Sequence, residues 1–354
     1  MDAIPLIFDL SQDQLAEILR GMGEPAYRAR QIWQGLYQHY WQKAEEFTNL
    51  PVSLRTRLAE AISFTAIHPE KVLQSSDGET IKTLFRLGDG KAIEAVLMEY
   101  DVRRTLCISS QAGCAMGCVF CATGQMGFQR HLTSGEIVAQ VLYYARMLKE
   151  QGERVTNVVV MGMGEPFHNY KATLGAIDRL NDPAGFNLGA RHFTISTVGL
   201  VPMIERFAAE KRQINLAISL HAPDDELRSS MLPVNRKYPI DVLLEACRNY
   251  VEKTHRRITF EWALIRDVND SPEVARRLVK RLKGLLCHVN VIPLNPTRKY
   301  LGQATTRERA EAFRDELVKA GIPCTIRIRR GIDIQAGCGQ LANQSATESG
   351  GRPV

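Results

Sequence analysis

Cys107-Ile-Ser-Ser-Gln-Ala-Gly-Cys114-Ala-Met-Gly-Cys118-Val-Phe-Cys121 is the stretch on which the reading of this chain turns. It packs three cysteines at Cys-x3-Cys-x2-Cys spacing, with a fourth seven residues upstream. Thiolates are soft ligands suited to zinc and to iron–sulfur clusters. A structural zinc site closes with four ligands, and the common ferredoxin runs also use four cysteines per cluster. The tight run here supplies only three. A [4Fe–4S] cluster held by three thiolates keeps one iron open to a small molecule; a zinc or purely structural thiol site is the alternative that spacing leaves standing. Gly113, Gly117 and the aromatic Phe120 suit a loop wrapped closely around such a group.

The bulk composition narrows the setting. At 354 residues, 45% hydrophobic and 24% charged, the chain has the length of about two domains and an ordinary globular balance. No apolar run is long enough to span a membrane, and Met1-Asp-Ala-Ile-Pro5 lacks the basic start and cleavage site of a secretory signal. Eight cysteines in such a chain read as metal or catalytic thiols rather than a disulfide framework, which implies a reducing cytoplasm. The net charge of +6 is a mild excess, compatible with a polyanionic partner.

Residues 1–75 read as a small helical domain. Ser11-Gln-Asp-Gln14 forms a capping box ahead of Leu15, Ile18 and Leu19. A second helix carries Arg28, Arg30, Ile32, Trp33 and Tyr37, either as phosphate-binding and base-stacking groups or as a plain amphipathic face. Residues 76–99 read as a β-hairpin extension turning at Gly88-Asp89-Gly90. From residue 100 to 336, short apolar runs (104–109, 155–161, 192–197, 214–220, 257–263, 288–294, 323–328) alternate with helical segments. Such βαβ units make a parallel sheet, here a partial (β/α)6-type barrel. Residues 337–354 form a carboxyl-terminal segment with Cys338 and a tail of disordered composition.

Barrels of this kind gather functional groups at the carboxyl ends of their strands. Those ends carry the cysteine loop, Gly162-Met-Gly-Glu165-Pro166, Ser196, Ser219-Leu220-His221 and Asn295. Each alone is an ordinary turn residue; their recurrence marks a ligand-binding rim. Cys247, Cys287 and Cys324 read as buried thiols, and spacing leaves Cys338 undecided between that and a reactive role. Glu94, on a mostly apolar strand, reads by default as an exposed carboxylate.

The cysteine run, with an aromatic before its last member, resembles the radical S-adenosylmethionine (SAM) superfamily signature. Joined to Gly162-Met-Gly-Glu-Pro166, Ser219-Leu-His221 and Ala336-Gly-Cys-Gly-Gln-Leu341, it is similar to the RlmN/Cfr family of RNA adenine methyltransferases over roughly residues 10–341. The resemblance implies one [4Fe–4S] cluster on Cys114, Cys118 and Cys121. It implies SAM held by Gly164, Glu165, Ser196, Ser219, Leu220, His221 and Asn295. It makes Cys338 the carrier of the methyl group as S-methylcysteine, Glu94 the proton acceptor, and Cys107 the resolving thiol through a transient disulfide with Cys338.

The resemblance also names the substrates: C2 of an adenosine in the peptidyl-transferase centre of 23S rRNA (2503 in conventional numbering) and of adenosine 37 in tRNAs. Adenine C2 lies between two ring nitrogens and is too electron-poor to attack a methyl donor, so radical addition suits it. A target inside folded RNA must be splayed out to reach a barrel mouth. Two SAM per turnover, an external electron donor such as flavodoxin or ferredoxin, and a monomer in the cytoplasm are further implications. Arg327, Arg329 and Arg330 are candidates for phosphate contacts. A Cfr-type enzyme methylating adenine C8 is the alternative within the class, and a non-catalytic, metal-stabilised RNA-binding protein the alternative outside it.

Overall fold

The computed structural model describes residues 4–342 and 352–353. Helix α1 (Gln12–Gly21) begins where Ser11 Oγ accepts from the Gln14 amide and Gln14 Oε1 accepts from the Ser11 amide. That reciprocal cap satisfies amides that a first helical turn otherwise leaves open. Helices α2 (Tyr27–Gln34) and α3 (Val52–Ala61) complete the helical unit. A single π-helical turn, Gly35–His39, extends α2. Trp33 and Tyr37 are buried with their rings 4.5 Å apart, and Trp33 Nε1 donates to Asp182 at 2.8 Å. These aromatics therefore anchor the unit to the barrel. They are not available to stack on bases, whereas Arg30 on the same helix is exposed.

The next four strands run antiparallel: β1 (Ile67–Gln74), β2 (Thr80–Leu87), β3 (Ala92–Tyr100) and β4 (Arg103–Cys107). The expected hairpin is β2–β3, and Gly90 takes the left-handed φ of 80° that its turn requires. The helical unit ends at Ala61, not near residue 75. The register of β1 breaks between Pro69 and Lys71, where a strand tolerates a residue lacking an amide hydrogen.

A small ribbon of β5 (Gln111–Gly113) and β6 (Phe128–His131) brackets the cysteine loop and the short α4 (Ala122–Met126). Crossovers follow as α5 (Ser134–Glu150), β7 (Asn157–Val160), α6 (Tyr170–Asn181), β8 (Phe193–Thr197), α7 (Val201–Ala209) and β9 (Asn215–Ser219). Then come α8 (Asp225–Met231), α9 (Ile240–Thr254), β10 (Ile258–Leu264), α10 (Pro272–Leu282), β11 (Cys287–Pro293), α11 (Arg307–Lys319) and β12 (Cys324–Ile326). Strands β4 and β7 through β12 are parallel and adjacent in chain order, as helical crossovers dictate.

The sheet is open: β4 pairs with β3 on one side and β7 on the other, and β12 ends the order. Between those two ends lies the carboxyl-terminal segment. Lys82 Nζ donates to Gln335 O at 3.2 Å, the Ala342 amide to Glu94 Oε2 at 2.8 Å, and Asn295 Nδ2 to Cys338 O at 3.1 Å. The tail expected to be disordered falls mostly outside the described residues; Arg352–Pro353 pairs with Leu73 and Gln74 of β1.

Candidate active site at the barrel mouth

A cavity of about 170 Å³, open at its mouth, lies at the carboxyl ends of the parallel strands. Cys114, Cys118 and Cys121 all face it, and all three are free thiols. Burial pushes Cys114 up to about 12 and raises Cys118 and Cys121 as well, because a lone thiolate is costly out of water. Their neutral state is one that only a metal would reverse. Among the described residues, no group of three or more His, Cys, Asp or Glu side chains is placed to hold a metal ion. Ligands of one ion converge tightly, whereas the thiolates of a cubane cluster each bind a different iron and stand further apart. Three soft thiols facing one cavity are a donor set that a [4Fe–4S] cluster can use, one thiolate to each of three irons.

The opposite wall is built from strand ends. Glu165 follows β7 and is buried; its Oε1 accepts from the Phe167 amide at 3.0 Å and its Oε2 from the Val198 amide at 2.8 Å. Burial nevertheless raises its pKa to about 7. Gln111 of β5 fixes this loop from behind, its Oε1 accepting from the Glu165 amide at 2.7 Å. Gly164 holds a φ of 104°, and a Cβ there would lie 2.6 Å from Gln111 Cβ. His221 also takes a left-handed φ, 62°, which is costly for a residue with a Cβ and recurs where a site over-determines the backbone. Its Nδ1 accepts from the Ala263 amide at 2.9 Å. Burial, reinforced by Arg228, pulls its pKa down to about 3, so the ring is neutral.

Gly164, Glu165, Ser196, Ser219, His221 and Asn295 all line this cavity, as does Cys338. Leu220 does not: its side chain packs in the hydrophobic core, and its carbonyl accepts from buried Arg228. A second cavity adjoins the first and is lined by Cys107, Cys121, Met98, Tyr100, Arg327 and Cys338, among others. Cys338 is exposed, whereas Cys107 is buried and pushed up to about 12, chiefly by burial and then by the charge of Cys338. The cysteine loop grips the segment after Cys338: the Ala122 amide donates to Gly339 O at 2.7 Å and Thr123 Oγ1 to Leu341 O at 2.6 Å.

Glu94 is 1% exposed, correcting its default reading as a solvent-facing carboxylate. Lys82 Nζ lies 3.2 Å from its Oε1, and both are buried. Glu94 faces the back of the carboxyl-terminal segment, through Ala342, rather than either cavity's lining. Glu261, which lines the first cavity, was not singled out by sequence. Its Oε1 accepts from Asn290 Nδ2 at 3.1 Å, and Arg327 stands 4.0 Å from its Oε2. Arg228 was missed too. Glu261 lies in an apolar strand and Arg228 in the polar run Asp224-Asp-Glu-Leu-Arg-Ser-Ser230, and in either setting only burial distinguishes the residue from an ordinary solvated charge.

Comparison with known proteins agrees with this architecture. The profile of the Radical SAM superfamily matches residues 108–279, and that of the ribosomal RNA large subunit methyltransferase N-terminal domain matches residues 6–63. A probable dual-specificity RNA methyltransferase RlmN of Chloroflexus aurantiacus is 50% identical over 96% of this chain and 93% of its own. A dual-specificity RNA methyltransferase RlmN of Myxococcus xanthus is also 50% identical, over 95% and 93%. The crystal structure of a radical SAM methyltransferase from Sphaerobacter thermophilus superposes with a TM-score of 0.94 at 51% identity, covering 96% of this chain and all of that one. The chain belongs to the radical SAM superfamily and, within it, to the RlmN family of RNA methyltransferases.

Proposed function

We propose that the protein methylates C2 of adenosine in 23S rRNA, at the peptidyl-transferase centre, and at adenosine 37 of tRNAs, with Cys338 carrying the methyl group. One observation carries this reading. Cys338 lines both cavities, so it faces Cys114, Cys118, Cys121 and Glu165 on one side and Cys107 on the other.

Cys114, Cys118 and Cys121 would hold the [4Fe–4S] cluster, and Glu165, Ser196, Ser219, His221 and Asn295 would hold SAM, with Gly164 letting backbone approach it. Bound there, cluster and SAM supply a methyl group, a reducing electron and a hydrogen-abstracting radical. Cys338, as thiolate, would take the methyl group of one SAM by displacement, the sulfonium–methyl bond breaking and S-adenosylhomocysteine leaving. Asn295 orients it through the Cys338 carbonyl. Glu165 as carboxylate accepts from the amino group of SAM, and neutral His221 adds no competing positive charge there.

Once the methyl carbon joins RNA to Cys338, Glu94 accepts the C2 proton; Lys82 Nζ stands 3.2 Å from its Oε1. Cys107, as thiolate, attacks the Cys338 sulfur, and the sulfur–methylene bond breaks. Its electron pair goes to the methylene carbon, which takes a proton to become the methyl group. The Cys107–Cys338 disulfide is left for an external thiol reductant. Glu94 reaches the adduct only if the segment covering it shifts. Arg329 is exposed beside the second cavity and suits an RNA phosphate. Arg330 is less free, stacking 4.4 Å from the Tyr100 ring centroid and pairing with Glu79.

The test is an anaerobic assay with SAM, flavodoxin or a chemical reductant, and 23S rRNA fragments or tRNA deuterated at adenine C2. Appearance of 2-methyladenosine with loss of that label is expected. Retention of the label in a methylated product would overturn the C2 assignment in favour of C8.

A further inference from the structure

Arg228 on α8 is wholly buried, and every hydrogen bond it makes is to a neutral acceptor. Its Nε donates to Leu220 O at 3.1 Å, Nη1 to Asn235 Oδ1 at 2.9 Å, and Nη2 to Val198 O at 2.6 Å and Ser219 O at 3.1 Å. A guanidinium removed from water without an anion costs several kcal/mol, and carbonyl dipoles offset only part of that. Burial accordingly pulls its pKa down to about 10.

Arg228 backs the cysteine loop: Val198 and Ser219, whose carbonyls it holds, line the cavity that Cys118 faces, and the Val119 amide donates to Met231 O of α8 at 3.0 Å. The acidic groups around it are Cys118, Asp225 and Cys247. Asp225 is already engaged, its Oδ1 accepting from Asn235 Nδ2 at 2.9 Å and from the Ile240 amide at 2.8 Å. Cys247 is a buried thiol of α9, pushed up to about 12 and so neutral. The Asp225 carboxylate meets Arg228 only through the Asn235 side chain, and the further negative charge on this side is the one that appears at Cys118 when the cysteine loop is loaded.

We propose that Arg228 is the buried counter-charge of the iron–sulfur cluster. Its guanidinium, locked by carbonyls of Val198, Ser219 and Leu220 on the side where Cys118 lies, offsets the cluster's negative charge and raises its reduction potential. The same fork ties the ends of β8 and β9 together, so the strand ends that line the cavity and the cluster's electrostatics share one residue. A cluster gains negative charge on reduction, and a nearby cation in a low-dielectric wall favours that state. This rests on Cys114, Cys118 and Cys121 being the cluster ligands. It differs from a purely mechanical clamp, for which hydrogen-bonding shape matters and net charge does not.

The test compares wild type with Arg228→Lys, Arg228→Gln and Arg228→Met after anaerobic reconstitution, reading iron and sulfide content, the midpoint potential by EPR-monitored titration, and melting with and without the cluster. Both neutral variants should titrate at more negative potential, while Arg228→Lys, which keeps the charge and loses the fork, stays near wild type. The gain in Tm on loading should shrink in the neutral variants, because their cluster-free forms no longer bury an uncompensated cation. Unchanged potentials in the neutral variants overturn the proposal. So does a Lys variant that shifts as they do, and that arm decides by itself where the neutral variants fail to fold. A wild type that takes up no iron would instead break the cluster assignment beneath it.

Discussion

The two cavities that meet at Cys338 are opposite in character. The first is walled by strand ends and closed behind by the cysteine loop; its charged groups, Glu165 and Glu261, are acidic and buried. The second opens among Arg327, Arg329, Arg330 and Tyr100, with Cys107 at its inner end. An enclosed cavity with a few convergent polar groups suits a small molecule, and a cationic opening suits a polyanion. The contrast divides the thiols: Cys114 and Cys118 line the first cavity alone, Cys107 the second alone, and Cys121 and Cys338 both. Breaking that division is the most direct test. Cys118→Ala should abolish iron binding and methylation together. Cys338→Ala should keep the cluster, by iron count and visible absorbance, yet lose methylation by at least about a thousandfold, since removing a covalent nucleophile removes the pathway itself. Equal loss of iron in both variants would mean that Cys338 belongs to the enclosed side alone.

Cys107→Ala probes the other side. Cluster content should stay at wild-type level, while product release stops and an RNA–protein crosslink through Cys338 accumulates, visible as a band shifted on a denaturing gel. Normal turnover without that band would remove Cys107 from the reaction.

Glu165 sharpens the comparison through pH. Its folded pKa of about 7 exceeds the carboxylate value of 4.5, so the folded chain holds this proton more tightly than the unfolded chain. Stability from this group is complete below 4.5 and is lost as pH rises toward 7. The groups facing it, Cys114 and Cys118, are neutral thiols in that window. Above pH 7 the loss amounts to roughly 3 kcal/mol. In cluster-free protein, Glu165→Gln should therefore be the more stable form at pH 8. The advantage is trimmed by about 1 kcal/mol, because one of the Phe167 and Val198 amides loses its acceptor, and it should vanish near pH 5. Urea titrations at the two pH values read the difference. A constant gap between wild type and variant would mean that Glu165 does not carry the shift.

How far sequence reached into this site follows the same division. The parallel strands and their crossovers were legible because a buried strand reads as an apolar run and a crossover helix as a 3.6-residue pattern. Strand β1 was not, since Pro69 and exposed positions at His68 and Glu70 blur its alternation. Trp33 and Tyr37 showed a pattern common to stacking platforms and core stripes, and only packing separates the two. Among site residues, those at strand ends could be found by position. Arg228 and Lys82 could not: their roles come from what burial removes, and a sequence records a charge without saying whether water reaches it. The meeting of Cys107 with Cys338 likewise depends on a carboxyl-terminal segment folding back between β4 and β12, a long-range closure that no local pattern encodes.

The smallest effect belongs to the cationic opening. Arg329 is exposed and lines the second cavity, while its neighbour Arg330 is partly buried against Tyr100 and Glu79. If the opening meets RNA through phosphates, Arg329→Ala should weaken RNA binding by roughly 1 kcal/mol, about fivefold, without regard to sequence. It should also reduce the slope of log affinity against log salt by about one. SAM affinity and cluster content should not move, because the enclosed side is untouched. Filter binding at several salt concentrations measures both quantities. An unchanged salt slope would mean that RNA approaches by another face, and that the charge of the second cavity serves Cys107 and Cys338 rather than the substrate.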